Sequence, residues 1–356
     1  MESMDQGRKA RLADVAAQAG VSEATVSRVL NAKPGVGAET RKAVLTALDV
    51  LGYERPAQLR TKSAGLVGLV VPELENPIFP LFAQSVESML SQRGYTPVLC
   101  TQTPGGVSED EYVEMLQARG VSGIIFISGL HADSSLDHSR YQKLIDQGLP
   151  VVMVNGFSDA FDAPFVSTDD AVAMRLAVNH LYSLGHRRIG LAIGPTRFVV
   201  AHRKVEGFVK AMREIVEVSE EEARALVAHT LFTVEGGHAA AVRLMADHKV
   251  TAIVCGSDLM ALGVVRAVRA TGGSVPGSVS VVGFDDSALM SFTDPPLTTV
   301  RQPVLAMSQA AVQSLADEIA GHEPPRGEYL FAPELIVRAS TAAAPAGLEK
   351  DGAGTA

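Results

Sequence analysis

The sequence predicts a small all-α helix-turn-helix head, suited to binding DNA, followed by a two-lobed α/β core with parallel sheets. Three observations predict it. Residues 12–31 read as two short amphipathic helices joined at a glycine. From about residue 66, Val- and Ile-rich runs alternate with amphipathic helices, the pattern of doubly wound α/β folds. At 356 residues the chain is too long for one such sheet, so two similar lobes are expected.

In the head, Gly20 falls where a helix ends in a left-handed residue, and Ser22 is placed to cap the next helix. At about 100° per residue, Val26, Val29 and Leu30 share one face, which docks on Val15, Ala16 and Ala19. Glu23, Ala24, Ser27, Arg28 and Asn31 occupy the opposite arc, left for a duplex. A third helix at about 38–51 carries Val44, Leu48 and Leu51 on one face and closes the small core. The fork of Arg28 can donate twice to guanine O6 and N7, which makes it the first choice for a base contact. Glu23 can accept from cytosine N4, or stand solvated in a first turn that favours acids. Ala24 can touch a thymine methyl, while Thr25, Ser27, Asn31 and Thr40 suit phosphates.

Residues 1–10 form a polar tail, 11–53 the head, and 54–65 a polar, basic linker broken by Pro56. The core spans 66–341. Its strands are expected at 66–72, 96–100, 122–127, 151–155, 189–194, 227–232, 251–255 and 279–284, apolar enough to be covered on both faces. Helices are expected near 80–93, 109–119, 138–147, 170–184, 201–214, 236–247, 258–271 and 304–320. The low-complexity tail 342–356 is expected to be disordered and shows no heptads.

The charge is divided. Residues 1–62 hold ten basic and seven acidic side chains, net +3; the remainder holds 21 and 33, net −12. Positive charge thus gathers where phosphates would be met, and so small an excess calls for a homodimer. No apolar run approaches the roughly 18 residues of a membrane span. The polar N-terminus lacks the apolar stretch of a signal peptide, so a cytoplasmic, nucleoid-associated location is expected. Cys100 and Cys255 read as buried reduced thiols. GxSxG, HExxH, GxxxxGK[ST] and CxxC are all absent, so no catalytic residue, metal or cofactor is expected.

The string ATVSRVLN, preceded by DVAAQAGVS, resembles the head of LacI/GalR-type transcriptional regulators. Further similarities follow in order: GLVVPELENPIF at 68–79, HLYSLGHRRIGLAIGP at 180–195, SDLMALG at 257–263, VSVVGFDD at 279–286 and PPLTTVRQP at 295–303. The resemblance covers about residues 11–341. It implies a periplasmic-binding-protein-like core whose chain crosses between lobes near 165–168, 295–300 and 325–330. Lobe 1 would hold 66–166 and 300–327, and lobe 2 would hold 167–297 and 328–341. The implied function is a sequence-specific repressor of carbohydrate-utilisation genes that binds a pseudo-palindromic operator as a homodimer. A small sugar between the lobes would release or modulate it.

On the motif, Arg28 occupies the family's base-contacting slot, and Glu23 and Ala24 the positions that vary between members. The linker is shorter than in many members, leaving Leu59 as the one candidate minor-groove wedge. Asp285 looks like the family's hydroxyl-binding Asp, and Lys204, with Arg203 beside it, stands in a slot usually held by Arg. Asn76, Phe79, Asn155 and Ser257 complete the implied effector site. Asp258 is equally well an N-cap, and Asp286 is expected to cap the following helix. With no Trp in the chain, sugar stacking falls to Phe: Phe79, Phe157, Phe165, Phe198 and Phe292 are candidates. GYERPAQLR, PVLCTQTPGG and ISGLHAD are most similar to maltose-type repressors of actinobacteria, which implies maltose or maltodextrin as effector. A solute-binding receptor, the alternative for such lobes, would carry a signal peptide and no head.

Overall fold

The computed structural model describes residues 10–30, 33, 35–53, 64–102 and 105–345. Asn31, Leu59 and the linker residues 54–63 lie outside the described residues. The chain divides into two compact units, Met1–Ala64 and Gly65–Ala356.

The first unit packs α1 (Leu12–Ala19), α2 (Glu23–Leu30) and α3 (Ala38–Val50). Gly20 ends α1 at φ +65°, and the Val21 amide reaches back to the Ala16 carbonyl. Ser22 Oγ accepts from the Thr25 amide (3.2 Å) and starts α2. Val15, Ala16, Val26, Val29, Val44 and Ala47 form the core.

The second unit carries two six-stranded sheets. The strands and helices of the first lobe are β1 (Gly65–Val71), α4 (Ile78–Gln92), β2 (Tyr95–Thr101), α5 (Glu109–Ala118), β3 (Gly123–Ile127), α6 (Ser139–Asp146), β4 (Val151–Val154) and β5 (Pro164–Thr168). The chain then enters the second lobe through α7 (Asp170–Ser183), β6 (Ile189–Ile193), α8 (Val199–Ala211), α9 (Glu220–Ala225), β7 (Val227–His229), α10 (Val234–His248), β8 (Ala252–Cys255), α11 (Asp258–Ala270), β9 (Ser280–Asp285) and β10 (Thr298–Arg301). It returns to lobe 1 with α12 (Val304–Ile319) and β11 (Gly327–Phe331), and ends in lobe 2 with β12 (Glu334–Ile336).

Sheet order is β11-β5-β4-β3-β1-β2 in lobe 1 and β12-β10-β9-β8-β6-β7 in lobe 2. All pairings are parallel except β12 on β10, an antiparallel edge that the expectation of parallel sheets did not include. Side chains alternate between the two faces of the first sheet. Val67, Leu69, Ile125, Ile127, Val152 and Val154 pack toward α4 and α12, whereas Val70, Ile124, Phe126, Val151 and Met153 pack toward α5 and α6.

Several expectations are corrected. The chain crosses between lobes after Thr168, Arg301 and Phe331, so the crossings lie a few residues later than 295–300 and 325–330. β10 accordingly belongs to lobe 2 and β11 to lobe 1. β5, β10, β11, β12 and α9 were not anticipated. β5 and β10 bury Ser167, Thr168, Thr298 and Thr299, hydroxyl residues that interrupt the apolar runs by which strands are recognised. The tail is ordered at its start: the Ala342 amide donates to Ser280 Oγ (3.1 Å) and the Ala344 amide to the Leu184 carbonyl (2.8 Å).

Candidate functional site

The head presents one polar helix face. Glu23, Ala24, Ser27 and Arg28 are exposed on α2, while Val26 and Val29 on its other side are buried. Thr25 is half-buried with its hydroxyl 3.0 Å from that of Ser22, and Thr40 is half-buried in the first turn of α3. A short helix with an apolar back and an exposed Arg can enter a major groove and read base edges.

In the core, a cavity of about 250 Å³ opens between the lobes at the carboxyl ends of both sheets. Asn76, Phe79, Asn155, Lys204, Ser257 and Asp285 all line it, brought there from five separate segments. The backbone is strained around it. Ser128, Asn155 and Asp285, at the ends of β3, β4 and β9, have φ of +45°, +56° and +114°, a region that L-residues occupy only when the surroundings hold them.

Gln302, which sequence reasoning missed, joins the lobes through its side-chain amide. Its Nε2 donates to Asp285 Oδ1 (2.7 Å) on lobe 2, and its Oε1 accepts from Thr168 Oγ1 (2.8 Å) and Asn155 Nδ2 (3.4 Å) on lobe 1. Burial, with the charge of Asp258 adding to it, holds the Asp285 carboxyl well above the usual carboxylate range; the Gln302, Lys204 and Asn76 side chains oppose this. Burial also raises Asp258 to about 6, against the hydrogen bonds it accepts from Thr299 Oγ1 (2.7 Å) and the Ser287 amide (2.7 Å). Asp258 is therefore not a cap. Ser257 caps α11 instead, accepting from the Met260 amide at 3.3 Å.

Lys204 projects from α8 to a buried ion pair with Asp170 (2.5 Å), its ammonium 4.0 Å from the centre of the Phe284 ring. Gly207 makes this reach possible, because a Cβ there would lie 2.9 Å from the Ala171 backbone of α7. Burial raises the Asp170 carboxyl, opposed chiefly by Lys204. Phe82, Phe198, Phe232 and Phe284 join Phe79 in the lining.

Other expected positions are corrected. Phe165 does not reach the cavity; it packs in the lobe 1 core against Phe157 and Phe161. Arg203 turns away from the lining and forms a bidentate pair with Glu328 (2.5 and 3.0 Å). Asp286 caps no helix; it pairs with Arg301 (2.7 Å) and Arg338 (2.6 Å). Phe292 is 84 % exposed and Phe157 belongs to the core. Phe232, Phe284, Gln302, Asp170 and Thr168 were missed, although Phe284 stood in the quoted motif VSVVGFDD and Gln302 in PPLTTVRQP. Among the described residues, no cluster of His, Cys, Asp and Glu is placed to hold a metal ion, and no helix is long and apolar enough to cross a membrane.

Comparison with known proteins supplies the context. Residues 11–56 match the model of bacterial regulatory proteins, lacI family, and residues 178–341 match a periplasmic binding protein-like domain. The chain is 62 % identical over 336 residues to the HTH-type transcriptional regulator MalR of Streptomyces coelicolor, covering 94 % of this chain and 97 % of that one. Its fold is similar to that of the transcriptional regulator CelR–cellobiose complex (TM-score 0.67, 32 % identity, 93 % of this chain and 100 % of that). It is also similar to the lac repressor dimer bound to operator and the anti-inducer ONPF (TM-score 0.68, 28 % identity, 94 % and 100 %).

Proposed function

Since the chain belongs to the LacI family of bacterial regulatory proteins, we propose that it is a sequence-specific repressor of carbohydrate-utilisation genes, working in the cytoplasm as a homodimer on a pseudo-palindromic operator. A neutral sugar between the lobes sets its hold on DNA. The observation that carries this reading is the buried carboxylate of Asp285, aimed into a cavity walled by phenylalanines. A carboxylate accepts from hydroxyls and a phenyl face covers the apolar side of a sugar ring, so the two together suit a pyranose. Glu73, Asp170 and Asp285 stand in the lining against Lys204, which is already paired, and this balance disfavours sugar acids and phosphates. Maltose or a short maltodextrin is the first candidate, supported by the similarity to MalR and to maltose-type repressors. The two buried aspartates serve binding and structure, with no catalysis assigned to them.

A palindromic promoter fragment titrated by fluorescence anisotropy, with maltose, maltotriose, galactose or gluconate, tests the reading. Maltose or maltotriose is expected to change operator affinity and gluconate to leave it alone. Asp285→Ala should keep operator affinity and lose the sugar response. A sugar response of wild-type size in Asp285→Ala would remove that carboxylate from the site.

A further inference from the structure

We propose that Asp133 and Arg197 form a clasp that closes the cavity across the two lobes, and that they are positioning residues for the effector although neither lines the cavity. This rests on the reading of the cavity as the effector site. Asp133 follows a short 3-10 turn (Leu130–Ala132) beyond β3 in lobe 1, and Arg197 lies between β6 and α8 in lobe 2. Arg197 Nε donates to Asp133 Oδ2 at 2.8 Å. Around that ion pair the backbones themselves are joined. The Ser134 amide and its hydroxyl both donate to the Arg197 carbonyl at 2.8 Å, and Asp133 and Phe198 form an antiparallel β-bridge. The immediate neighbours of the clasp, Ala132 and Phe198, do line the cavity, and the Arg197 guanidinium lies over the Phe198 ring at 4.6 Å.

The two halves of the clasp are built differently. On lobe 1 the segment is fixed from behind. Asp133 Oδ1 accepts from the Ser135 amide (3.0 Å) and hydroxyl (2.6 Å), and the Asp133 carbonyl accepts from His138 Nε2 (3.0 Å). The Leu130 amide donates to buried Glu109 (2.9 Å), which also accepts from the Tyr141 hydroxyl, and His131 Nε2 donates to the Asn155 carbonyl (2.8 Å). On lobe 2 the anchoring side chain is Arg197, itself 51 % exposed.

The interlobe pair Arg203–Glu328 differs in kind, because Glu328 stands just before the third crossing and is tethered there by the chain. No crossing lies near residues 133 and 197 in sequence, so their contact can open with the lobes, and its strength enters the rate of exchange directly.

Two readouts on the full-length chain test the clasp. The first needs no ligand: amide exchange of peptides covering 130–136 should rise severalfold in Arg197→Ala and Asp133→Asn, while peptides from β1, β3 and β4 stay as in wild type. Asp133→Asn keeps an oxygen for the Ser135 turn and removes only the charge. The second is stopped-flow release of maltose, expected to be about fivefold faster in either variant, with a smaller change in equilibrium affinity because entry also quickens. The double variant should release no faster than the single ones, since both remove one interaction. Exchange over 130–136 unchanged from wild type, or additive effects in the double variant, would overturn the clasp. If wild type binds no maltose, maltose fails as effector, and the exchange measurement still decides the clasp.

Discussion

On α2 of the head, Glu23, Ala24, Ser27 and Arg28 stand exposed, whereas in the core Asn155, Lys204, Ser257 and Asp285 are buried and bonded to other groups of the protein. The head offers an exposed polar face on a small apolar core, open to a partner from outside. In the cavity the polar groups bond to one another across the lobes, so a ligand that takes up those groups competes with bonds that hold the lobes together. Gln302 is the clearest case, because its amide ties Asp285 of one lobe to Thr168 and Asn155 of the other. Occupancy of such a site alters bonds between lobes, which is what a switch requires. The exposed face of α2 has no comparable lever.

Substitutions separate the two regions, and the largest effect is expected in the core. Lys204→Met leaves the Asp170 carboxylate buried without its partner, and should cost about 3–5 kcal/mol in denaturant unfolding of the core. Arg28→Ala should leave core stability unchanged and cost about 1–3 kcal/mol of operator affinity, concentrated at one symmetric base pair per half-site. Equal loss on every DNA sequence would make Arg28 a phosphate contact instead.

A smaller effect concerns pH. Burial lowers His131 to about 4, so its contribution to stability is present above its ordinary value of 6.5 and is lost as pH falls toward 4. Burial raises Asp258 from 3.8 to about 6, so its contribution is present below 3.8 and is lost as pH rises through 6. The two act in opposite directions over one window. Relative to wild type, thermal stability of His131→Gln should therefore tilt toward acid and that of Asp258→Asn toward higher pH, measured between pH 4 and 7. Parallel tilts would contradict the burial of one of the two.

The head was legible because its determinants are local. Gly20, Ser22 and the spacing of Val26 and Val29 fix two helices and the face between them within twenty residues. The cavity was legible where a residue sits at the end of an apolar strand, as Asn155 does after β4 and Asp285 at the end of β9, while Asn76, Phe79 and Lys204 were reached only through the family resemblance. Neighbours in sequence misled where geometry separates them. Along β5 successive side chains face opposite sides of the sheet, so Phe165 enters one core cluster and Val166 the other, and neither reaches the cavity. On α8 one residue turns the direction by about 100°, which sends Lys204 to the cavity and Arg203 to Glu328. Phe232 was read as strand, but β7 ends at His229 and leaves the ring in the loop against Gly194. Gln302 could not be placed without knowing that the chain changes lobes after Arg301.

The central claim is that the exposed face of the head and the buried cavity of the core are energetically coupled. Linkage requires that whatever factor the sugar imposes on operator affinity, the operator imposes on sugar affinity. Calorimetric titration of the full-length protein with maltose, alone and saturated with its operator fragment, measures that factor directly. The account predicts two different dissociation constants whose ratio equals the change that maltose makes in operator affinity. Identical constants with and without DNA would show that the cavity binds sugar without governing the head, and would contradict the account.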